Sequence, residues 1–252
     1  MSLKGFAYLA LLTGVVLAGK AWAAPSPARP APTLAEIQSG EAWDGRWQST
    51  ASRATAAGLP EGVLPPFEVL PKIDDYLQPW AAAEHKRWMH MNDEMGVMQK
   101  AVQNRCLPHN MPGERQESRL AFNMIAVPSV WMMTGRGFNH RFIRIGGEHP
   151  KDLKPSWLGD SVGHWEGDTL VVDTIGFNNQ GMLEDGVRHT AQLHMTARYR
   201  LFELEGKRAI QALYTYDDPG STTRTLRFAR VHVEGNNEVD QEAACNENNK
   251  SH

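Results

Sequence analysis

Six histidines, His140, His149, His164, His189, His194 and His232, fall in the second half of a 252-residue chain that carries ten in all. Imidazole changes protonation near neutral pH, so this grouping points first to proton transfer. Asp173 closes the β-prone run DTLVVD on a half-apolar face, where an unpartnered carboxylate is costly to bury. It fits either a base or the partner that orients an imidazole, the plainer alternative being a turn-capping Asp before Gly176. The candidate acid/base set is therefore His149 or His194, with Asp173 or His189 to orient it. On the substrate side, Trp157 and Trp165 flank Gly159 and Gly163, a pattern that can stack a flat ligand against nearby backbone or simply plug a barrel end. Asp160, and Arg198 in the polar row of its strand, supply candidate polar contacts.

Other chemistries fit less well. His189 and His194 are five apart, so on a regular strand they point to opposite faces. They join His149 and Asp173 around one ion only if His189 lies in the preceding loop or a bulge intervenes. No metal ligand is assigned. The stretch GDSVG lacks the order and the strand-turn-helix setting of a serine nucleophile elbow. No dinucleotide fingerprint, P-loop or HExxH motif occurs, so no cofactor is expected.

The elements that must position these residues are mostly strands. After Cys106 the chain breaks into short β-prone runs separated by Gly, Pro and Asn: FNMIAVPSVWMMTG, FNHRFIRIGG, SVGHWEGDTLVVDTIGF, HTAQLHMTARYRLFEL, KRAIQALYTYDD and TLRFARVHVEG. Strands at such intervals, with no helical pattern between them, predict an antiparallel meander closed as a barrel or stacked as a sandwich, lipocalin-like in outline. Tight turns are expected at Glu166-Gly167 and Glu205-Gly206. From Leu193 to Leu201 the apolar positions alternate with His194, Thr196, Arg198 and Arg200, which line either a pocket or the solvated exterior. One amphipathic helix is expected near 76–103, its stripe of Trp80, Glu84, Trp88, Met91, Met95 and Met98 facing the core. Trp43–Gln48 reads as a short first strand bulged at Gly45.

The chain begins with Lys4, an apolar run from Phe6 to Ala18, and small residues at Ala21 and Ala23, the layout of a secretory signal peptide over residues 1–23. That run is shorter than the roughly 20 residues a spanning helix needs, and no later stretch is longer. Cleavage removes Lys4 and Lys20 and no acid, taking the formal charge from −3 to −5. No basic field remains for nucleic acid, and no membrane partner is expected after cleavage. Residues 24–34, rich in Pro and Ala, read as a disordered lead-in to one β-rich domain over 35–252. Periplasmic or secreted localisation would permit one disulfide between Cys106 and Cys245, enclosing about 140 residues, although two unpaired thiols remain the plainer alternative.

The segment HPKDLKPSWLGDSVGHWEGDTLVVDTIGFN, followed by RHTAQLHMTARYRL, resembles a large family of secreted, mostly uncharacterised bacterial proteins. The shared positions include His149, Pro150, Trp157, Gly159, Ser161, Trp165 through Asp173, Phe177, His189, His194, Cys106 and Cys245. The resemblance implies export and a fold shared over most of the mature chain, without implying a reaction. The chain departs from it at Ala197, where the family carries an acid, and in a shortened region after Asp218-Pro219.

These observations favour a cofactor-free periplasmic lyase or isomerase that moves protons on a small apolar or aromatic molecule. The alternative is a lipocalin-type carrier using the same fold without catalysis, and the third reading is a metal-dependent hydrolase. Oligomeric state has no signal in the residues.

Overall fold

The computed structural model describes residues 30–49, 73–95, 122–135, 140–183 and 186–235. The expected signal peptide, residues 24–29 of the lead-in, and both cysteines lie outside them. From Ala31 onward the described residues belong to one compact unit. Among them, no helix is long and apolar enough to cross a membrane.

Nine strands close into a barrel, each beside its sequence neighbours: β1 (Gly45–Ser49), β2 (Phe122–Val127), β3 (Val130–Gly135), β4 (His140–Ile145), β5 (Asp160–Glu166), β6 (Thr169–Ile175), β7 (His194–Leu204), β8 (Lys207–Asp217) and β9 (Leu226–Glu234). Eight of the neighbouring pairs are antiparallel, while β4 and β5 are parallel. The mainly antiparallel barrel expected from the strand runs is present with one parallel seam, for which parity gives the reason. Strand direction cannot reverse at all nine seams of a closed ring, so at least one seam must be parallel. A parallel neighbour cannot be reached by a hairpin, so the chain crosses over through residues 146–159. That crossover carries His149 and Trp157.

Period-two alternation assigns each side chain to one face. Inward positions include Met124, Met133, Ile143, Ser161, Thr174, Met195 and Tyr216, all buried. One end is closed by tryptophan. Trp43, Trp131 and Trp165 pack with ring centroids 5.0–6.2 Å apart. A short helix, α1 (Leu34–Ser39), seals that end. Thr33 and Glu36 form its capping box and Gly40, at φ +94°, ends it. Gly40 also lies where a Cβ would sit 2.7 Å from that of Ala126. The Trp43 indole then donates to the Ile37 carbonyl at 3.0 Å. Trp43 therefore belongs to a 3-10 turn before β1 rather than to the strand.

At the opposite end, α2 (Pro79–Met95) lies against the β8–β9 connection. The Gln78 amide donates to the Ser221 carbonyl at 2.8 Å, and the Trp80 indole donates to the Gly220 carbonyl at 2.7 Å. The helix is present as expected, but rotated. Leu77, Ala81 and His85 are buried, and Trp80 is 42% exposed. The hairpin after β5 turns through Gly167-Asp168, one residue later than expected, whereas Glu205-Gly206 joins β7 to β8 with both residues at positive φ.

Candidate functional site

Strands β4 to β7 bring five ionisable side chains into one hydrogen-bonded chain on the outer wall. Arg144 on β4 grips Asp160, the first residue of β5, through both guanidinium nitrogens at 2.5 and 2.8 Å. His149, on the crossover, stands between two carboxylates. Its Nδ1 lies 2.6 Å from Asp160 Oδ2, and its Nε2 lies 2.9 Å from Asp173 Oδ2. The other Asp173 oxygen is in hydrogen-bond contact with His194 Nε2 at the start of β7.

Register explains the convergence. Val162 on β5 and Thr196 on β7 directly flank Asp173 on β6, so Asp160 and His194 stand on the diagonals of the same outer face. The crossover is held against this wall by the Ser156 amide, which donates to the Gly176 carbonyl at 2.9 Å, and by the Asn178 amide, which donates to the Ser156 carbonyl at 2.8 Å.

The chain grades from dry to wet. The side chains of Asp160 and His149 are 14% and 18% exposed, while His194 is 47% exposed. The bond from Arg144 holds the Asp160 carboxyl below the usual carboxylate range, with His149 adding to the effect against partial burial. The same pairing raises the Arg144 guanidinium. With Asp160 ionised, the 2.6 Å contact is a hydrogen bond when His149 Nδ1 carries the proton. A second proton then has three addresses along the line: His149 Nε2, Asp173 and His194 Nε2. An arrangement of this kind stores and passes a proton, and His194 Nδ1 is its outward terminus.

Four of the expected residues, His149, Asp160, Asp173 and His194, are thus gathered. Arg144 was not foreseen. His189 belongs elsewhere: it is 1% exposed, donates from Nδ1 to the Thr190 carbonyl at 3.0 Å, and packs edge-on against Phe177. Burial lowers its pKa. Asp173, and not His189, is therefore the group set against the His194 ring. The ligand set of His149, His189, His194 and Asp173 is not assembled, and among the described residues no group of three or more His, Cys, Asp or Glu side chains could hold a metal ion.

The two tryptophans do not share a face. Trp165 turns inward into the tryptophan cluster, whereas Trp157 is half-buried on the crossover. Arg198 lies on the outer wall and donates to Glu166 at 2.7 Å, so the polar row of β7 is solvated exterior rather than a lumen lining.

A second polar cluster, absent from the expected set, lies on the inner side of the same wall. Arg141 is 3% exposed and donates to Ser161 Oγ at 3.1 Å, Thr174 Oγ1 at 3.0 Å and the Tyr199 hydroxyl at 3.0 Å. Ser161 and Thr174 bond each other at 3.0 Å. Its only sequence signal is an inverted one. In HRFIRI, Phe142 turns outward at 57% exposure so that Arg141 and Ile143 turn inward. Ala197 is fully buried on this inner face.

Fold and site together define a closed nine-stranded barrel with a histidine-aspartate chain on its outer wall and an arginine-hydroxyl cluster behind it. No protein-family model, curated protein or solved structure matches the chain.

Proposed function

We propose that the protein is a cofactor-free, exported lyase or isomerase that moves a proton on a small apolar or aromatic molecule at the outer wall of the barrel. The observation that supports this most directly is the unbroken hydrogen-bonded line from Arg144 through Asp160, His149 and Asp173 to His194. Residues 50 positions apart in the chain meet there with paired nitrogens and oxygens, and the line ends on a half-exposed imidazole.

In this reading His194 Nδ1 is the base. With Nε2–H directed at Asp173, the imidazole takes a proton from carbon next to a substrate carbonyl, and the C–H electron pair moves onto the carbonyl oxygen as an enolate. Asp173 stabilises the imidazolium that forms. Return of the same proton to the conjugate carbon completes an isomerisation, and departure of a β-substituent in its place completes an elimination. His149 and the Arg144–Asp160 pair are positioning groups that fix the Asp173 carboxylate.

The test is solvent-deuterium incorporation. Small carbonyl-bearing aromatic and alicyclic compounds incubated in D2O with the wild type should yield one that exchanges or isomerises. His194→Ala should lower that rate about 10²–10⁴-fold, while Asp173→Asn should lower it and change its pH profile. Full turnover by folded His194→Ala on a substrate the wild type converts would remove this reading.

A further inference from the structure

The inward face of β9 carries a histidine that the outer-wall reading does not use. His232 is fully buried, lies opposite Ile210, and meets Phe122 edge-on with ring centroids 5.0 Å apart. Neither of its ring nitrogens has a hydrogen-bond partner among the described residues. Burial, with Arg230 adding to it, pushes its pKa down to about 3. The ring is therefore neutral, with one N–H to donate and one lone pair to accept. Buried polar atoms are almost always satisfied, and an apolar side chain of similar shape would suit a dry site better. An orphaned donor and acceptor on one ring therefore call for a functional explanation.

The neighbouring lumen holds another unspent donor. Ser161 and Thr174 each accept a bond from Arg141, and one of the two hydroxyls donates to the other. A single hydroxyl proton is left over from the pair. On the same inner face, Met124, two residues along β2 from Phe122, begins the cross-strand row that runs through Met133 to Arg141. The surrounding side chains of Phe122, Met124, Met133 and Met195 are apolar and buried.

We propose that the half of the lumen between His232 and the Arg141 cluster binds a small, flat, uncharged hydroxyl compound of the phenol or enol class. The hydroxyl bonds one nitrogen of His232, donating to its lone pair or accepting from its N–H, as no purely apolar ligand can, while its ring lies against Phe122 and the methionines. An uncharged ligand suits a neutral imidazole in a water-poor lumen, since an ionised oxygen would lose its hydration and could not donate. This site is separate from the outer histidine chain and stands whether or not that chain is catalytic.

The probe is 4-fluorophenol, followed by 19F NMR with the full exported chain. Wild type should show saturable binding, and the His232 ring 15N resonances, assigned by their loss in His232→Gln, should move on saturation. His232→Phe should weaken binding at least tenfold while raising the melting temperature, because an unsatisfied polar ring is replaced by an apolar one. His194→Ala should leave binding unchanged. The proposal is overturned if wild type shows no saturable binding, if the His232 resonances stay fixed, or if folded His232→Phe binds as well as wild type.

Discussion

The wall formed by β4 to β7 is polar on both sides, and its two sides handle charge in opposite ways. Outside, acids and bases alternate along a line that water reaches. Inside, the bonds of one guanidinium to Ser161, Thr174 and Tyr199 all go to neutral hydroxyls. The two clusters come from adjacent residues, Asp160 beside Ser161 and Asp173 beside Thr174, which the strand pleat sends to opposite faces. The difference shows what each cluster can do. Where water screens, several ionised groups can crowd together and exchange protons. Where water is excluded, a buried charge orders fixed dipoles around itself, which rigidifies the wall, and none of those three bonds offers a carboxylate to take up a proton.

The two arginines of β4 also staple the parallel seam from its two faces, Arg144 outside to Asp160 and Arg141 inside to Ser161. The largest effect should come from the inner staple. Arg141→Ala removes a buried side chain and strips three buried hydroxyls of a donor, and should lower stability by roughly 3–5 kcal/mol in urea unfolding. A loss under about 1 kcal/mol would mean that the inner face is wet after all, and the contrast between the faces would collapse.

Next in size is a pH effect carried mainly by two buried imidazoles. His232 and His189 have folded pKa values below the ordinary 6.5, so between that value and the folded one the unfolded chain binds more protons than the native state. Stability falls as pH drops below about 6.5, at up to about 1.4 kcal/mol per pH unit for each ring until its own folded pKa is reached, about 3 for His232. Asp160 acts lower in the range. Its depressed pKa contributes stability above the unfolded value near 4, and this is lost only as pH drops through the folded value. Urea unfolding at pH 7, 6, 5 and 4 should show the decline, and His232→Leu should flatten it. An equal slope in that variant would place the acid sensitivity elsewhere.

The strands were legible because each is a short apolar-alternating run bounded by turn residues. Their count and closure were not, since periodicity is blind to strand direction and the parallel seam follows only from an odd number of strands in a ring. The α1 capping box, Thr33 with Glu36 and then Gly40, was present in the residues but falls where the Pro-rich lead-in dominates the composition. The α2 register was misread because its large residues suggested the buried face. Small Ala81 and polar His85 occupy that face instead, and Trp80 is 42% exposed. His149, Asp160, Asp173 and His194 were legible by residue type, whereas their position outside the lumen depended on which face of β7 turns inward. Arg141 was invisible for a related reason: an arginine next to phenylalanine in a strand ordinarily marks the solvent side, and Ile143 and Ile145 set the opposite register here.

The smallest effects should come from the outer wall, and the order within it tests whether the histidine chain is more than a set of surface ion pairs. Arg144→Gln breaks a bidentate contact to an Asp160 side chain only 14% exposed, but the guanidinium is itself 42% exposed, so solvent screening limits the loss to about 1 kcal/mol. That loss should shrink further in high salt. Arg198→Ala removes a similarly short contact to Glu166, with both partners about half exposed, and should leave unfolding unchanged. The two arginines then differ in a second readout. Arg144 reaches His149 through Asp160, so its loss should shift the pH dependence of any activity carried by His194, while loss of Arg198 should not. Identical pH profiles for the two variants would mean that the line from Arg144 to His194 does not act as one unit, leaving the Asp173–His194 pair to act alone.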